Sequence, residues 1–205
     1  MDSIRASVGE NGKNIRVDVA LIQAMLLFIP GVNGGALNSN AFNLDGIDGP
    51  NTHASIRKFQ SVQLSMQDGL VQPSDFTIKR LSTVLYATTP TLKPWDLKLI
   101  ALRTVDPSPM DNEFIDVRDG SDHIGKVAAL PSGTKIYYQP ELGAFECKGL
   151  ILGKYLELGE EGSSLGYPIS DERDWATEAG AKVSYFQNGS IFWSPIHGVR
   201  VVAAP

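Results

Sequence analysis

Residue types that can catalyse reactions are present in this 205-residue chain, but their spacing does not form a recognisable catalytic set. The three histidines, His53, His123 and His197, are scattered, and none lies in an HExxH-like spacing that would hold zinc. The sequence contains no Gly-x-Ser-x-Gly elbow and no phosphate-cradling P-loop. We therefore predict that the chain is not an enzyme and that it uses no cofactor.

The carboxylates are better explained as structural groups than as catalysts. Asp171 and Glu172 are adjacent in a loop, and such a pair does not by itself flank a glycosidic bond, so we expect it to brace the turn at Pro168. The acidic residues of the first half lack the twelve-residue spacing of an EF-hand, which favours capping over calcium binding. These residues are Asp45, Asp48 and Asp68.

Composition narrows the possible partners and compartments. The net charge is −5 and no basic block occurs, which disfavours nucleic-acid binding. No apolar run is long enough for a transmembrane segment, and no secretory signal is visible, so a mature form, another export route and an intracellular protein all stay open. Cys147 is the only cysteine, which excludes an intrachain disulfide, and its apolar surroundings predict a packed thiol.

A turn joined to a helix, at residues 45–60, must position the polar groups of the first half. Gly46 and Gly49 would permit a tight turn with positive φ, and Pro50 suits the first helical position. Asp48 could accept hydrogen bonds from the free amides that follow. We therefore expect a polar turn that leads directly into an amphipathic helix.

Helical periodicity organises the rest of the first half. Apolar residues repeat with helical spacing over about residues 16–29 and 50–64. A third helix should follow, with Ser74 as its N-cap. Residues 1–14 are polar and contain glycine, and we expect them to be loose.

The stretch from Asp45-Gly46 to Phe59-Gln60 resembles the peptidoglycan-binding domain found beside many cell-wall hydrolases. The flanks that extend this resemblance are residues 19–26, 68–73 and 77–81. The resemblance implies a three-helix domain at residues 1–87. The proline-rich residues 88–112 are interpreted as a junction between domains, in which residues 95–103 form either a short helix or an extended piece.

The second half has a sequence pattern typical of short strands and turns, with aromatic and β-branched runs separated by Gly, Pro and Asn. Residues 136–143 align with residues 191–198 at an offset of 55, and each copy predicts a β-hairpin. A short helix is predicted between the copies, with Gly159 as its stop signal. The residues expected on its inner face are Ile151, Tyr155 and Leu158.

The pattern K-Y-x-x-L-G…G-x-x-L-G-Y-P-x-S-D-E at residues 154–172, continued through residues 183–193, is similar to the LGFP repeat. Tyr167 stands where the name-giving pattern has Phe. The resemblance covers about residues 130–205, as one full copy and a partial preceding hairpin. It implies a β-rich LGFP-like domain at residues 113–205, of a kind that recurs in secreted, envelope-associated proteins and is thought to hold them to the cell wall.

Both resemblances point to binding of glycan strands that carry short peptides. Such a receptor needs a shallow groove, an aromatic platform, hydrogen-bonding side chains and a cation. Arg57 could pair with a stem-peptide carboxylate or lie on a solvated helix face. The candidate ligand-binding residues are Asp45, Asp48, Asn51, Thr52 and Arg57 in the first half and Tyr137, Tyr167, Phe186 and Trp193 in the second.

We therefore predict an α+β protein in which a helical peptidoglycan-binding-like domain precedes a domain of hairpins with a short helix. Its predicted function is non-catalytic attachment to peptidoglycan or a related cell-wall glycan, in the cell envelope, either periplasmic or extracellular. The alternative is an adaptor or cargo component of a bacterial secretion or injection apparatus, which would bind a protein assembly through the same domains. A cryptic cell-wall hydrolase is a third interpretation.

Overall fold

The computed structural model describes residues 4–36, 42–105, 116–130 and 132–204. The chain divides into two compact units, Met1–Pro109 and Met110–Pro205. Helices form most of the first unit, whereas antiparallel sheets of hairpin strands form most of the second, so the fold is α+β.

The first unit is built from helices α1 (Arg16–Phe28), α2 (Pro50–Leu64), α3 (Phe76–Thr88) and α4 (Pro94–Val105). The two helices predicted at residues 16–29 and 50–64 are confirmed. Every residue of α1 from position 17 to position 26 is buried, as expected for a helix that is largely apolar around its circumference. Helix α1 is therefore the centre of this unit, and the other helices cover it.

Helix α4 lies inside the segment that the sequence suggested as a junction. Its Leu97 and Ala101 are fully buried in the same core cluster as the residues of α1. The Asp96 carboxylate accepts a hydrogen bond from the Lys93 amide at 2.8 Å and so closes the first turn. The open choice between a helix and an extended piece is settled in favour of the helix, and the unit gains a fourth helix that packs on α1.

The expectation of a loose N-terminal segment is wrong for the described residues 4–14. Strand β1 (Val8–Gly9) pairs antiparallel with strand β2 (Leu70–Val71). Ile4 and Val8 are buried in the helical core, and the buried Asp18 carboxylate accepts a hydrogen bond from the Ala6 amide at 3.0 Å. Two apolar anchors and one buried acceptor are enough to order this short polar segment.

Three local predictions in this unit are wrong. Gly49 has φ of −174°, which is extended backbone, so only Gly46, with φ of 69°, uses the left-handed region. Asp48 does not cap α2 but accepts a hydrogen bond from the Asn14 side chain and contacts His53. The N-cap of α3 is Asp75, whose carboxylate accepts a hydrogen bond from the Ile78 amide at 3.0 Å, and Ser74 lies one residue outside.

The second unit contains two four-stranded antiparallel sheets and one α-helix in its described residues. The first sheet consists of β3 (Asp116–Asp119), β4 (Lys126–Ala129), β5 (Lys135–Gln139) and β6 (Gly143–Cys147). The second consists of β7 (Arg173–Asp174), β8 (Lys182–Phe186), β9 (Gly189–Ser194) and β10 (Gly198–Ala203). Helix α5 (Gly149–Leu158) lies between them in the chain.

The similarity between the two repeats extends from single hairpins to whole four-stranded sheets. Each sheet is an up-and-down meander, and in each an aspartate of the first strand is ion-paired with a lysine of the second. These pairs are Asp119–Lys126 and Asp174–Lys182. The offset is 55 between β5 and β9, but the pairing registers place Val127 of β4 and Val183 of β8 as equivalents, an offset of 56.

Helix α5 packs against both sheets, since Tyr155 contacts Tyr137 of β5 and Phe186 of β8 and the helix lies beside β9 and β10. Ile151, Leu152 and Tyr155 are buried, and the ring of Tyr155 packs edge-on against Tyr137 with centroids 5.1 Å apart. Gly159 ends the helix in the left-handed conformation with φ of 98°, as predicted. Leu158 was expected on the inner face, but it is 39 % exposed because the helix ends there.

A cluster of charged residues closes the turn after α5. Glu161 is buried, and Arg118 donates hydrogen bonds to it at 2.5 and 3.1 Å and to Glu160 at 2.8 Å. Lys135 and the Tyr137 hydroxyl also donate to Glu160, at 2.9 and 2.7 Å. Burial alone would raise the pKa of Glu160, but these donors outweigh it and hold that pKa below its usual range. We name Arg118, Lys135, Glu160 and Glu161 the carboxylate clasp.

The carboxylate clasp predicts loss of stability in acid. Because the pKa of Glu160 is lower in the folded state than in the unfolded chain, its contribution is fully present above the ordinary value of 4.5 and is lost as the pH falls through the folded-state pKa. Urea unfolding of the second unit should therefore show a midpoint that falls with decreasing pH in that window. Glu160→Gln should flatten this dependence, and an unchanged pH slope in the variant would contradict the assignment.

Candidate ligand-binding surfaces

The predicted polar residues of the first unit line a small notch beside the start of α2. This cavity has a volume of about 140 Å³, and its walls include Asp45, Asp48, Asn51 and Thr52 but not Arg57. One carboxylate oxygen of Asp48, Oδ1, is buried in the described structure without a hydrogen-bond partner. Asn51 is exposed at the notch, and Asp45 and Asp48 are partly exposed.

Most other polar groups in the notch form hydrogen bonds with the side chain of one glutamine, Gln23. Gln23 is buried, and its Nε2 donates to Asp45 Oδ1, the Ile47 carbonyl and Thr52 Oγ1, each at 3.1 Å. Its Oε1 accepts from the amides of Asp45 and Gly46 at 3.1 and 2.8 Å. Thr52 is buried, which gives it and Gln23 a structural role in holding the loop.

The same arrangement occurs a second time, around Gln60. Its Nε2 donates to Asp68 Oδ1, the Leu70 carbonyl and Thr77 Oγ1 at 2.6, 2.9 and 3.3 Å, and its Oε1 accepts from the Gly69 amide at 2.9 Å. Each buried glutamine thus fixes an Asp-Gly turn and a threonine of the following helix. The sequence showed both glutamines within the motifs, but not this role.

Arg57 is engaged within the fold. Its guanidinium forms an ion pair with Glu10, and both side chains are more than a third exposed. The aliphatic part of Arg57 also lies beside Gly69, which has φ of 72° and leaves room for it. A ligand carboxylate at Arg57 would have to compete with Glu10, so the sequence-based role of this residue stays a prediction.

Three of the four predicted aromatic residues of the second unit lie in its core. Tyr137, Tyr167 and Phe186 are at most 4 % exposed. Phe186 packs against Tyr155 with ring centroids 4.5 Å apart, and the Tyr137 hydroxyl is held by the carboxylate clasp. A stacking platform of these rings does not fit their placement, because their faces are covered by other side chains.

Trp193 differs from these three, because it is only partly buried against the core and also lines an open groove on the second sheet. We name this cavity of about 590 Å³ the aromatic groove. Phe192, Arg200 and Val202 share the outer face of the sheet, since Phe192 is paired directly with Arg200 and side chains alternate along β10. The residues that line it are Trp175, Thr177, Glu178, Phe192, Trp193, Ser194, Ile196, His197, Gly198, Arg200 and Val202.

Trp175 and Phe192 form the aromatic wall of the groove, and the sequence analysis did not select either as a site residue. Their rings are tilted against each other with centroids 4.9 Å apart, and both are partly exposed. The internal repeat could have pointed to Phe192. At the offset of 55 it aligns with Tyr137, which packs against the ring of Tyr155 in the first sheet. Trp175 lies in a loop, where neither helical nor strand periodicity of the sequence distinguishes it.

Residues 165–205 match the LGFP repeat family model. We call residues 165–205 the LGFP segment, and it contains every residue that lines the aromatic groove. A search of curated proteins returned no match. The resemblance of the first unit to a peptidoglycan-binding domain has no counterpart in these findings and stays a prediction.

Tyr167 of the LGFP segment contacts the first sheet through its hydroxyl group. This hydroxyl donates to Asp122 Oδ1 at 2.8 Å and lies against Gly120 and Gly125, where a Cβ atom would clash with it. Burial, followed by the hydrogen bond to Asp122, raises the pKa of Tyr167. The Tyr167 hydroxyl, which a phenylalanine at this position would lack, therefore has both a hydrogen-bond acceptor and the space that it needs in this chain.

Cys147 and Asp171, which were considered as reactive groups, both lie among groups of the folded core. Cys147 is fully buried and burial raises its pKa well above the ordinary value, which fits the predicted packed thiol. The Asp171 carboxylate accepts a hydrogen bond from the Glu146 amide of β6 at 2.8 Å, and its expected role at the Pro168 turn stays a prediction.

Two further features concern the described residues, 4–36, 42–105, 116–130 and 132–204. No group of three or more His, Cys, Asp or Glu side chains in these ranges is placed to hold a metal ion. Nor does any helix there combine the length and apolar character that a membrane crossing requires.

Proposed function

We propose that this protein is a non-catalytic cell-wall-binding protein that holds peptidoglycan or a related glycan in its aromatic groove. The observation that supports this most directly is the partly exposed Trp175–Phe192 pair beside Trp193, within the segment that matches the LGFP repeat. Sugar rings have apolar faces that stack on aromatic side chains, and a groove of this size can enclose one or two of them.

The first unit is proposed to add a second, weaker contact through the notch at Asp48 and Asn51. Two weak sites on one chain raise the apparent affinity for a polymer, because the second contact forms at a high effective concentration. This proposal places the protein in the cell envelope, periplasmic or extracellular, where such a polymer is accessible.

Retention on insoluble peptidoglycan sacculi tests the proposal. The full chain should sediment with sacculi, and Trp175→Ala should lower the retained fraction at limiting sacculi, with affinity reduced roughly tenfold, since one stacked ring contributes about 1.4 kcal/mol. Tyr185→Ala is the matched control, because Tyr185 is 37 % exposed on the same sheet but does not line the groove. Recovery of the unmodified chain in the supernatant, at low and at high salt, would refute the function.

A second candidate function is an adaptor in a secretion or injection apparatus, and one observation favours it. In the first sheet, Tyr137 occupies the position equivalent to Phe192 of the groove, and it packs against Tyr155 of helix α5. The groove could accordingly receive a helix of a partner protein. Co-purification with a larger assembly, combined with no retention on sacculi, would support the adaptor.

A further inference from the structure

We propose that the aromatic groove selects a carboxylate-bearing amino-sugar peptide over a neutral glycan, with Arg200 binding the carboxylate and Glu178 binding an N–H or O–H donor. This inference rests on the proposed function and specifies the chemical class of its ligand. It is carried by two charged residues that line the groove in addition to its aromatic wall.

Glu178 supplies an acceptor without a partner. Its Oε1 is buried and makes no hydrogen bond within the described structure. The backbone holds the residue in place, since its amide donates to the Trp175 carbonyl at 3.3 Å and its carbonyl accepts from the Ala181 amide at 3.1 Å. A buried carboxylate oxygen without a donor is costly, so a ligand that brings an N–H or O–H group here gains the full benefit of that bond.

Arg200 supplies the complementary charge. It is exposed on β10 directly opposite Phe192, and no ion pair joins it to another described residue, Glu178 included. A planar guanidinium beside an aromatic ring binds carboxylates through paired hydrogen bonds. The two charged residues on one groove therefore match a ligand that carries both a carboxylate and a hydrogen-bond donor next to an apolar ring.

A small ligand fits this groove better than a helix does. In the first sheet the ring that packs on Tyr137 comes from helix α5, as Tyr155. In the second sheet the ring that packs on the equivalent Phe192 comes from the neighbouring loop, as Trp175. The aromatic contact that a docking helix would make is thus already present, and the remaining space is lined by polar and charged groups as well as apolar ones.

Three defined ligands test the selectivity by titration calorimetry on the full chain. They are muramyl dipeptide, its methyl ester, which differs only by the masked carboxylate, and neutral N-acetylchitotetraose. Muramyl dipeptide should bind roughly tenfold more tightly than its ester at low salt, as expected for a charge-assisted hydrogen bond, and less so at high salt. Arg200→Gln should remove this preference, and Glu178→Gln should weaken both muramyl ligands about fivefold.

Arg173→Gln is the matched control. Arg173 is also exposed on the second sheet, where it lies 5.4 Å from the Tyr185 ring, but it does not line the groove. Equal affinities for the acid and the ester, equal effects of the two arginine variants, or binding of chitotetraose as tight as the acid would each overturn the inference while leaving sacculus binding intact. Failure of the sacculus assay itself would instead remove the proposed function.

Discussion

Replacing Gln60 by leucine is expected to lower the free energy of unfolding of the first unit by about 3 kcal/mol, because the two N–H groups and the oxygen of its amide each lose a hydrogen bond at about 1 kcal/mol. Gln60 is fully buried, and its side chain is the link between helix α2, the turn at residues 68–70 and Thr77 at the start of α3. Leucine has a similar volume, so the loss reports hydrogen bonding rather than a cavity.

The partners left behind make this substitution costly. The Gly69 amide is buried and its donor role depends on Gln60 Oε1, so it becomes an unsatisfied group in the core. Gly69 also accepts from the Glu10 amide through its carbonyl at 3.0 Å, and Leu70 pairs with Gly9 across the two-stranded sheet. We therefore expect the N-terminal segment to lose protection along with the turn.

Gln63→Leu is the matched control for Gln60→Leu. Gln63 lies on the same helix three residues later, but its hydrogen bonds to Arg80 are exposed and its hydrogen bond to the Asn33 carbonyl is only partly buried, so its loss should cost about 1 kcal/mol. Hydrogen–deuterium exchange of peptides from residues 4–14 and 66–72 should separate the two variants. Equal stability of both variants in urea would show that the buried glutamine does not hold the turn.

The parts of the fold that the sequence predicted are those with a strong local signal. Helices α1 and α2 have long periodic stretches, and Gly159 marks the end of α5. Strand β1 has only two residues and is ordered by distant partners, which a local pattern does not reveal. Helix α4 is short and flanked by prolines, and its place in the core depends on the apolar surface that α1 offers.

The site was harder to predict than the fold, for a reason visible in the aromatic residues. Alternation along a strand separates two faces but does not say which face is covered, and helix α5 buries Tyr137 on the side that its equivalent Phe192 leaves open. Trp193 was selected from the sequence and does line the groove, whereas Trp175 comes from a loop and joins Phe192 only in the folded chain.

Replacing Gly120 by alanine should destabilise the second unit by about 3 kcal/mol, because the added methyl group overpacks a filled site. A Cβ atom there would clash with the Tyr167 hydroxyl and lie 3.0 Å from Cζ of the same ring. Gly120 does not have positive φ, so the backbone accepts alanine and the cost is steric.

The double variant gives the decisive result. Tyr167→Phe alone removes one hydrogen bond to Asp122 and should cost about 1 kcal/mol, since the Ile124 and Gly125 amides still donate to that carboxylate. Combined with Gly120→Ala it also removes the clashing oxygen, so the double variant should be about 2 kcal/mol more stable than additivity predicts. Fluorescence of Trp175 and Trp193 in a Trp95→Phe background reports unfolding of this unit alone.

Gly125 provides the contrast that makes the cycle specific. A Cβ atom at Gly125 would clash with the Tyr167 hydroxyl too, but it would also lie 2.6 Å from the backbone carbonyl oxygen of Tyr138, which cannot move away cheaply. Tyr167→Phe should therefore rescue Gly120→Ala and not Gly125→Ala. Rescue of neither would show that the hydroxyl group is not what shapes this contact, and the glycines would then be needed for the loop between β3 and β4 itself. Rescue of both would show that the Tyr138 carbonyl does not restrict Gly125.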